Sequence, residues 1–67
     1  MSIDRDSQVE IFGRFIRDNG ASRLVEVNDL EVFLPKSLIE NWEIVDTQKR
    51  LFTCIIPQWL AIDRRID

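Results

Sequence analysis

The sequence predicts a mainly β domain in which five short antiparallel strands form a small barrel or curled sheet, closed by a short C-terminal helix. Three observations predict it. Hydrophobic residues alternate with a period of two through most of the chain. Turn-forming pairs, such as Asn19-Gly20 and Asn28-Asp29, separate the alternating segments. Pro57 then precedes a helical stretch, and proline suits a helix start because its missing N–H would be unpaired there anyway.

The first predicted strand begins at Val9, where the alternation starts. Gly13 lies in its middle, and glycine there often marks a bulge or a sharp bend at a barrel corner. The strand is expected to end before the turn Asp18–Gly20, because Asn-Gly supplies the positive φ values that tight hairpins need. The first strand is therefore expected to bend.

The second and third strands are predicted at Ser22–Val27 and Leu30–Leu34, joined by a two-residue type I′ turn at Asn28-Asp29. This register places Glu26 directly opposite Glu31. Two facing carboxylates cost stability unless the face is solvated or a cation meets them. The hairpin therefore predicts either a solvated face or a cation beside these two residues.

Two prolines bound the remaining elements. Pro35 ends the third strand, since it cannot donate to a ladder and restricts the residue before it. After a turn or 3₁₀ turn, the fourth and fifth strands are predicted at Asn41–Val45 and Arg50–Ile56. About two helical turns follow over Gln58–Arg65, and Trp59 is expected to plug one end of the barrel.

Length and composition predict one small globular domain over residues 8–67, preceded by a flexible N-terminus at residues 1–7. A 67-residue chain has a thin margin of stability, which leaves a homodimer open. The single cysteine and the absence of histidine exclude an internal disulfide and a tetrahedral zinc site. With no membrane-length apolar run and no signal-like N-terminus, the expected location is the cytoplasm.

No catalytic constellation, metal-ligand cluster or phosphate-binding loop is recognisable, so the chain is predicted to bind a partner without catalysis, metal or cofactor. Cys54 alternates with Phe52 and Ile56 and has no histidine to activate it. It is expected to be a buried core thiol.

The charge is unevenly distributed. Residues 26–46 contain six acidic residues and one basic residue, although the whole chain has a net charge of only −3. A concentrated negative face can steer a small protein towards a basic partner or imitate a nucleic-acid backbone. The predicted partner-binding residues are Glu26, Asp29, Glu31, Glu40, Glu43 and Trp42, the last of these left open between a core position and an exposed anchor.

Two proline-centred segments carry a family resemblance. Phe33–Ile39 reads Phe-Leu-Pro-Lys-Ser-Leu-Ile, and Ile56–Ala61 reads Ile-Pro-Gln-Trp-Leu-Ala. In order and spacing they resemble a group of very short proteins encoded by bacteria and their phages, with an aromatic-Leu-Pro-Lys-Ser segment and a Pro-x-Trp-Leu-Ala ending. The resemblance covers about residues 9–65. It implies an SH3-like barrel and a mobile-element context, and no catalytic residues.

The leading hypothesis is a phage- or mobile-element-encoded module that binds a basic surface of a host or phage protein, for example an inhibitor of a defence system of the anti-CRISPR kind. Two alternatives stay open. One is a small barrel that binds single-stranded nucleic acid through Arg14, Arg17 and Arg23 with Phe12 among them, although nearby acids make nucleic acid the less favoured partner. The other is a homo-oligomeric structural or accessory phage protein.

Overall fold

The computed structural model describes residues Ser7–Asp67, so the expected flexible N-terminus lies, except for Ser7, outside the described residues. A 3₁₀ turn at Lys36–Leu38 separates the third and fourth strands. The strands and the helix are β1 (Gln8–Asp18), β2 (Ser22–Val27), β3 (Leu30–Pro35), β4 (Glu40–Asp46), β5 (Leu51–Pro57) and α1 (Gln58–Asp63).

The strands form one five-stranded antiparallel sheet in the order β3-β2-β1-β5-β4. The long central strand β1 pairs with β5 through its first half and with β2 through its second half, and the two sets of pairs meet at Arg14. The predicted mainly β fold, with five antiparallel strands and one short helix, is confirmed.

The sheet is open, so the predicted barrel is not supported. β3 and β4 are the two edge strands and do not pair with each other. The residues after α1 lie along the β3 edge instead, where Arg64 Nε donates a hydrogen bond of 3.1 Å to the Phe33 carbonyl oxygen. A side chain, and not a strand, therefore occupies part of that edge.

The β2–β3 hairpin has the predicted geometry. Asn28 and Asp29 have φ values of 53° and 65°, which a type I′ turn requires. Glu26 faces Glu31 as expected. Arg14 on the neighbouring strand supplies a cation, with its Nε 3.2 Å from Glu26 Oε1. Two arrangements were predicted to tolerate the facing carboxylates, a solvated face or a nearby cation. The described residues show the nearby cation.

Irregular pairing interrupts the ladders at three places. One extra residue, Ile16, shifts the β1–β2 register, and two further shifts lie in β4, around Asn41 and at Val45. Asn41 has a φ of 53°, the left-handed conformation with which many bulges begin. Such bulges bend and twist a sheet, and here they bend both its central strand and one edge.

Gly13 lies where β1 passes from β5 to β2, although the bulge expected there is at Ile16. A Cβ at Gly13 would overlap the Glu26 carbonyl oxygen and lie 2.8 Å from Val27 Cγ2. The glycine is therefore required for the close approach of β2 to β1.

The core lies on one side of the sheet, which we call the inner face. Buried side chains from β1, β2, β3 and β5 meet there with residues of α1 and of the segment after it. Cys54 is buried as predicted, with 1% of its surface exposed. The buried residues are Ile11, Val25, Val27, Leu34, Phe52, Cys54, Ile56, Leu60, Ala61 and Ile66.

The prediction for Trp59 is wrong, because its side chain is 43% exposed. A six-residue helix presents only one side to the sheet, and Leu60 and Ala61 occupy that side. Ile66, which follows the helix, is also buried. Within Ser7–Asp67, no helix has the length and apolar character needed to cross a membrane.

Candidate functional site

The side of the sheet opposite the core, which we call the outer face, carries charged and partly exposed side chains. Directly opposed residues of antiparallel strands project from the same side, so the register assigns this face. Its members include Gln8, Glu10, Phe12, Arg14 and Arg17 of β1, Leu24 and Glu26 of β2, Glu31 and Phe33 of β3, Glu40, Glu43 and Asp46 of β4, and Leu51, Thr53 and Ile55 of β5.

These side chains form rows that run across the strands, with about 5 Å between neighbouring strands and about 7 Å between rows. The rows share one layout, in which β5 contributes an uncharged residue in the middle and β4 contributes a carboxylate. They are Glu10–Ile55–Glu40, Phe12–Thr53–Glu43 and Arg14–Leu51–Asp46, the last continuing from Arg14 to Glu26 and Glu31.

Phe12 is the most exposed large hydrophobic residue among the described residues, with 56% of its surface exposed. It lies on the central strand, opposite Thr53. Leu51 and Ile55 are its diagonal neighbours on β5 and are half-buried. An uncharged strip with an exposed aromatic ring therefore crosses the middle of the outer face.

The electrostatics of the outer face are negative, because it holds six carboxylates and two guanidinium groups, those of Arg14 and Arg17. The guanidinium of Arg14 is already paired with Glu26. Among the described residues, Glu10, Glu31 and Glu43 have no cation within 4 Å. Their charges are met by solvent and are free to attract a basic group.

The predicted partner-binding residues are only partly brought together. Glu26, Glu31, Glu40 and Glu43 share the outer face, and Asp29 lies at the exposed turn of the β2–β3 hairpin. The predicted set lacked two further carboxylates of this face and its most exposed aromatic residue. These are Glu10, Asp46 and Phe12. For Glu10 and Phe12, the alternation along β1 was a usable sequence signal, because residues two apart on a strand project from the same side.

Trp42 lies on the inner face, which decides between its two predicted roles in favour of the core. Its ring stacks on Phe52 at a centroid distance of 4.5 Å and meets Phe15 edge-on at 5.4 Å. The Arg23 guanidinium lies 4.3 Å from the centroid of the Trp42 ring. Trp42 is therefore not a projecting anchor.

The residues predicted for nucleic-acid binding are divided between the faces. Phe12, Arg14 and Arg17 are on the outer face, whereas Arg23 covers Trp42 on the inner face. With Arg14 paired to Glu26, these arginines form no continuous basic surface.

Two further kinds of site, a metal site and a reactive thiol, are not formed by the residues that the structure describes. Within Ser7–Asp67, no three carboxylate or thiol groups come together as metal ligands. Burial raises the pKa of the Cys54 thiol to about 11, so at neutral pH the group is a protonated thiol and a poor nucleophile.

No family model matches this chain, and comparisons with curated proteins and with solved structures found no match either. The resemblance that the two proline-centred segments suggest therefore stays a prediction.

Proposed function

We propose that this chain is a non-enzymatic protein-binding module that docks a basic surface of another protein on the outer face of its sheet. The observation that supports this most directly is the cross-strand register, which gathers six carboxylates from four strands on one face with only two guanidinium groups. A face of one charge speeds encounter with an oppositely charged partner and disfavours partners of the same charge.

The energetics of the fold support the same proposal. Like charges that face each other across strands destabilise a sheet, and a domain of this size has little stability to spare. Arg14 neutralises only Glu26. Retaining Glu10, Glu31 and Glu43 on one face is understandable if a cationic partner meets them.

The form of this function that we favour is an inhibitor of a host nucleic-acid-handling defence protein, of the anti-CRISPR kind, carried by a phage or another mobile element. The acidic outer face would occupy a basic surface that otherwise binds a phosphate backbone. The motifs at Phe33–Ile39 and Ile56–Ala61, which resemble short phage-encoded proteins, support this context.

The proposal can be tested by removing charge from the outer face. Tagged wild type and the double variant Glu10→Gln/Glu43→Gln would be used to capture proteins from bacterial lysate. Association rates of a captured partner would then be measured in rising salt. We expect the double variant to associate several-fold more slowly and with a shallower salt dependence, because steering depends on the summed charge.

The matched control is Asp63→Asn/Asp67→Asn, which changes the net charge equally but lies in α1 and the C-terminal segment. It should behave as wild type does. If both double variants capture the same partners at the same rates as wild type, the outer face is an ordinary solvated surface and the proposal is wrong.

A further inference from the structure

We infer that Phe12 is the apolar anchor of the outer face, and that the partner's contact segment places an aliphatic or aromatic side chain, flanked by arginine or lysine, on the strip formed by Phe12, Thr53 and Ile55. The inference rests on the proposed function and specifies the chemistry of the partner. Its basis is one juxtaposition: the half-exposed phenyl ring of Phe12 lies on the central strand, and carboxylates of β1 and β4 lie on the same face around it.

The position of Phe12 is suited to an anchor. Residues at the centre of an interface contribute most of the binding energy, and aromatic side chains are enriched there. Phe12 lies on β1, the middle strand of five, and is held in a regular stretch of the β1–β5 ladder from Gln8 to Arg14. Its backbone is therefore fixed before a partner arrives, so little ordering entropy is lost on binding.

The surroundings of Phe12 specify a basic partner. Glu10 and Glu40 lie on either side of Ile55, and Glu43 lies beyond Thr53. With about 5 Å between strands, these carboxylates are within reach of arginine or lysine side chains that flank a residue seated on Phe12. An apolar centre with a charged rim is the usual anatomy of a protein–protein interface.

The same charges disfavour a second copy of this chain as the occupant. Two outer faces brought together would oppose six carboxylates to six others, with two arginines on each side, of which Arg14 is already paired with Glu26. Like-charge juxtaposition of this kind suppresses wrong partners. The complementary surface must carry a net positive charge, whereas this face has four more carboxylates than guanidinium groups.

The test uses two synthetic peptides, Arg-Ser-Arg-Leu-Arg-Ser-Arg and the same peptide with serine at the centre. Each would be titrated into the ¹⁵N-labelled protein at low salt, with amide shifts followed by NMR. We expect both to shift residues of the outer face. The leucine peptide should bind about 10-fold more tightly, with its largest shifts at Phe12, Thr53 and Ile55.

Phe12→Thr is the first variant, because threonine suits a strand and the position is exposed. It should remove the preference for the leucine peptide while leaving the salt dependence unchanged. Trp59→Ser, which removes an exposed aromatic side chain from α1, is the matched control and should keep the preference. Glu10→Gln/Glu43→Gln should weaken both peptides and flatten their salt dependence.

The outcomes separate this inference from the proposed function. Equal binding of both peptides to wild type, or a preference that survives Phe12→Thr, would overturn the anchor while leaving a charged docking face. If neither peptide shifts the outer face, both proposals fail. A wild-type dimer that Phe12→Thr dissociates in sedimentation would show that the occupant is a second copy, and so would also overturn the inference.

Discussion

Lys36, from the first proline-centred motif, has a structural role in this fold. Its Nζ lies 2.6 Å from Asp18 Oδ2, at the end of β1. The other carboxylate oxygen, Oδ1, accepts a hydrogen bond of 2.9 Å from the Gly20 N–H. The hydrogen bond from Lys36, with that from Gly20, holds the pKa of Asp18 below its usual value of 3.8. The lysine therefore fastens the 3₁₀ turn to the first hairpin.

This ion pair has a pH signature. A carboxyl whose pKa is lower in the folded protein stabilises the fold above its unfolded pKa, and that contribution is lost as pH falls through the folded pKa. We expect NMR titration to place the Asp18 pKa below 3.8, and Lys36→Gln to raise it towards 3.8. Lys49→Gln, at the β4–β5 turn, should leave it unchanged, and an Asp18 midpoint at or above 3.8 in wild type would contradict the assignment.

Cys54 should be inert in the native protein, because its thiol is buried and its pKa is raised to about 11. We expect a thiol reagent at pH 8 to label wild type only after urea is added. A Thr53→Cys variant adds a second thiol, on the outer face. We expect one label per molecule without denaturant, at position 53 and not at Cys54. Rapid labelling of native wild type would show that the two faces of β5 are assigned the wrong way round.

The element that organises the sheet is β1, because both halves of the sheet pair with it. Its inner side is occupied at Ile11 by a core side chain and at Gly13 by no side chain at all. The missing side chain lets the backbone of β2 approach closely at Glu26. Gly13 thus allows β1 to pair with both β5 and β2.

Gly13→Ala should therefore be unusually costly for a small substitution. The added methyl would collide with backbone at Glu26, which cannot move as a flexible side chain can, so we expect a loss of about 1–3 kcal/mol in urea unfolding. Gly20→Ala is the comparison. Its surroundings are open and only its positive φ is unfavourable, so we expect a loss of about 1 kcal/mol. A smaller loss at Gly13 than at Gly20 would contradict this account of the strand crossing.

The elements that could be predicted from sequence are those that local chemistry determines. Asn28 and Asp29 fix a two-residue turn, and the turn fixes the register of β2 on β3. The bulge at Asn41 and the rotation of α1 that exposes Trp59 depend on contacts between distant segments. Asparagine suits the left-handed φ of Asn41, but the local sequence does not specify that a bulge forms there or which side of α1 faces the sheet.

The molecule as a whole leaves both edges of its sheet unpaired, and each is protected differently. The β4 edge is broken by two irregularities and carries Glu40, Glu43 and Asp46, which discourages pairing with another strand. On the β3 edge, Arg64 occupies the carbonyl of Phe33. An open sheet can therefore exist without edge-to-edge association.

Arg64→Ala should expose the β3 edge. We expect a stability loss of about 0.5–1.5 kcal/mol from the lost hydrogen bond and greater self-association with concentration in sedimentation velocity. Arg65→Ala removes the same charge from the next, exposed position and is the control. If the two variants behave alike, the contact of Arg64 with Phe33 does not protect the edge.

The acidic character of the candidate site could be predicted from the sequence, but the set of residues that share its face could not. The acidic excess between Glu26 and Asp46 is visible in the sequence. Its union with Glu10 and Phe12 depends on the pairing of β1 with β5, which joins residues from opposite ends of the described chain. Trp42 was the aromatic residue predicted to bind a partner, but the bulge between Glu40 and Glu43 places it on the inner face, where it stacks on Phe52.

The double role of β1 also has a consequence for the rate of folding. The β2–β3 and β4–β5 hairpins each join neighbouring segments, whereas the β1–β5 ladder must close a loop through most of the chain. Loop-closure entropy is lost before such a ladder gives any stability in return. We therefore expect the docking of β5 on β1 to limit the folding rate, so that substitutions at Ile11 or Gly13 slow refolding, while substitutions at the tip of the β2–β3 hairpin chiefly accelerate unfolding.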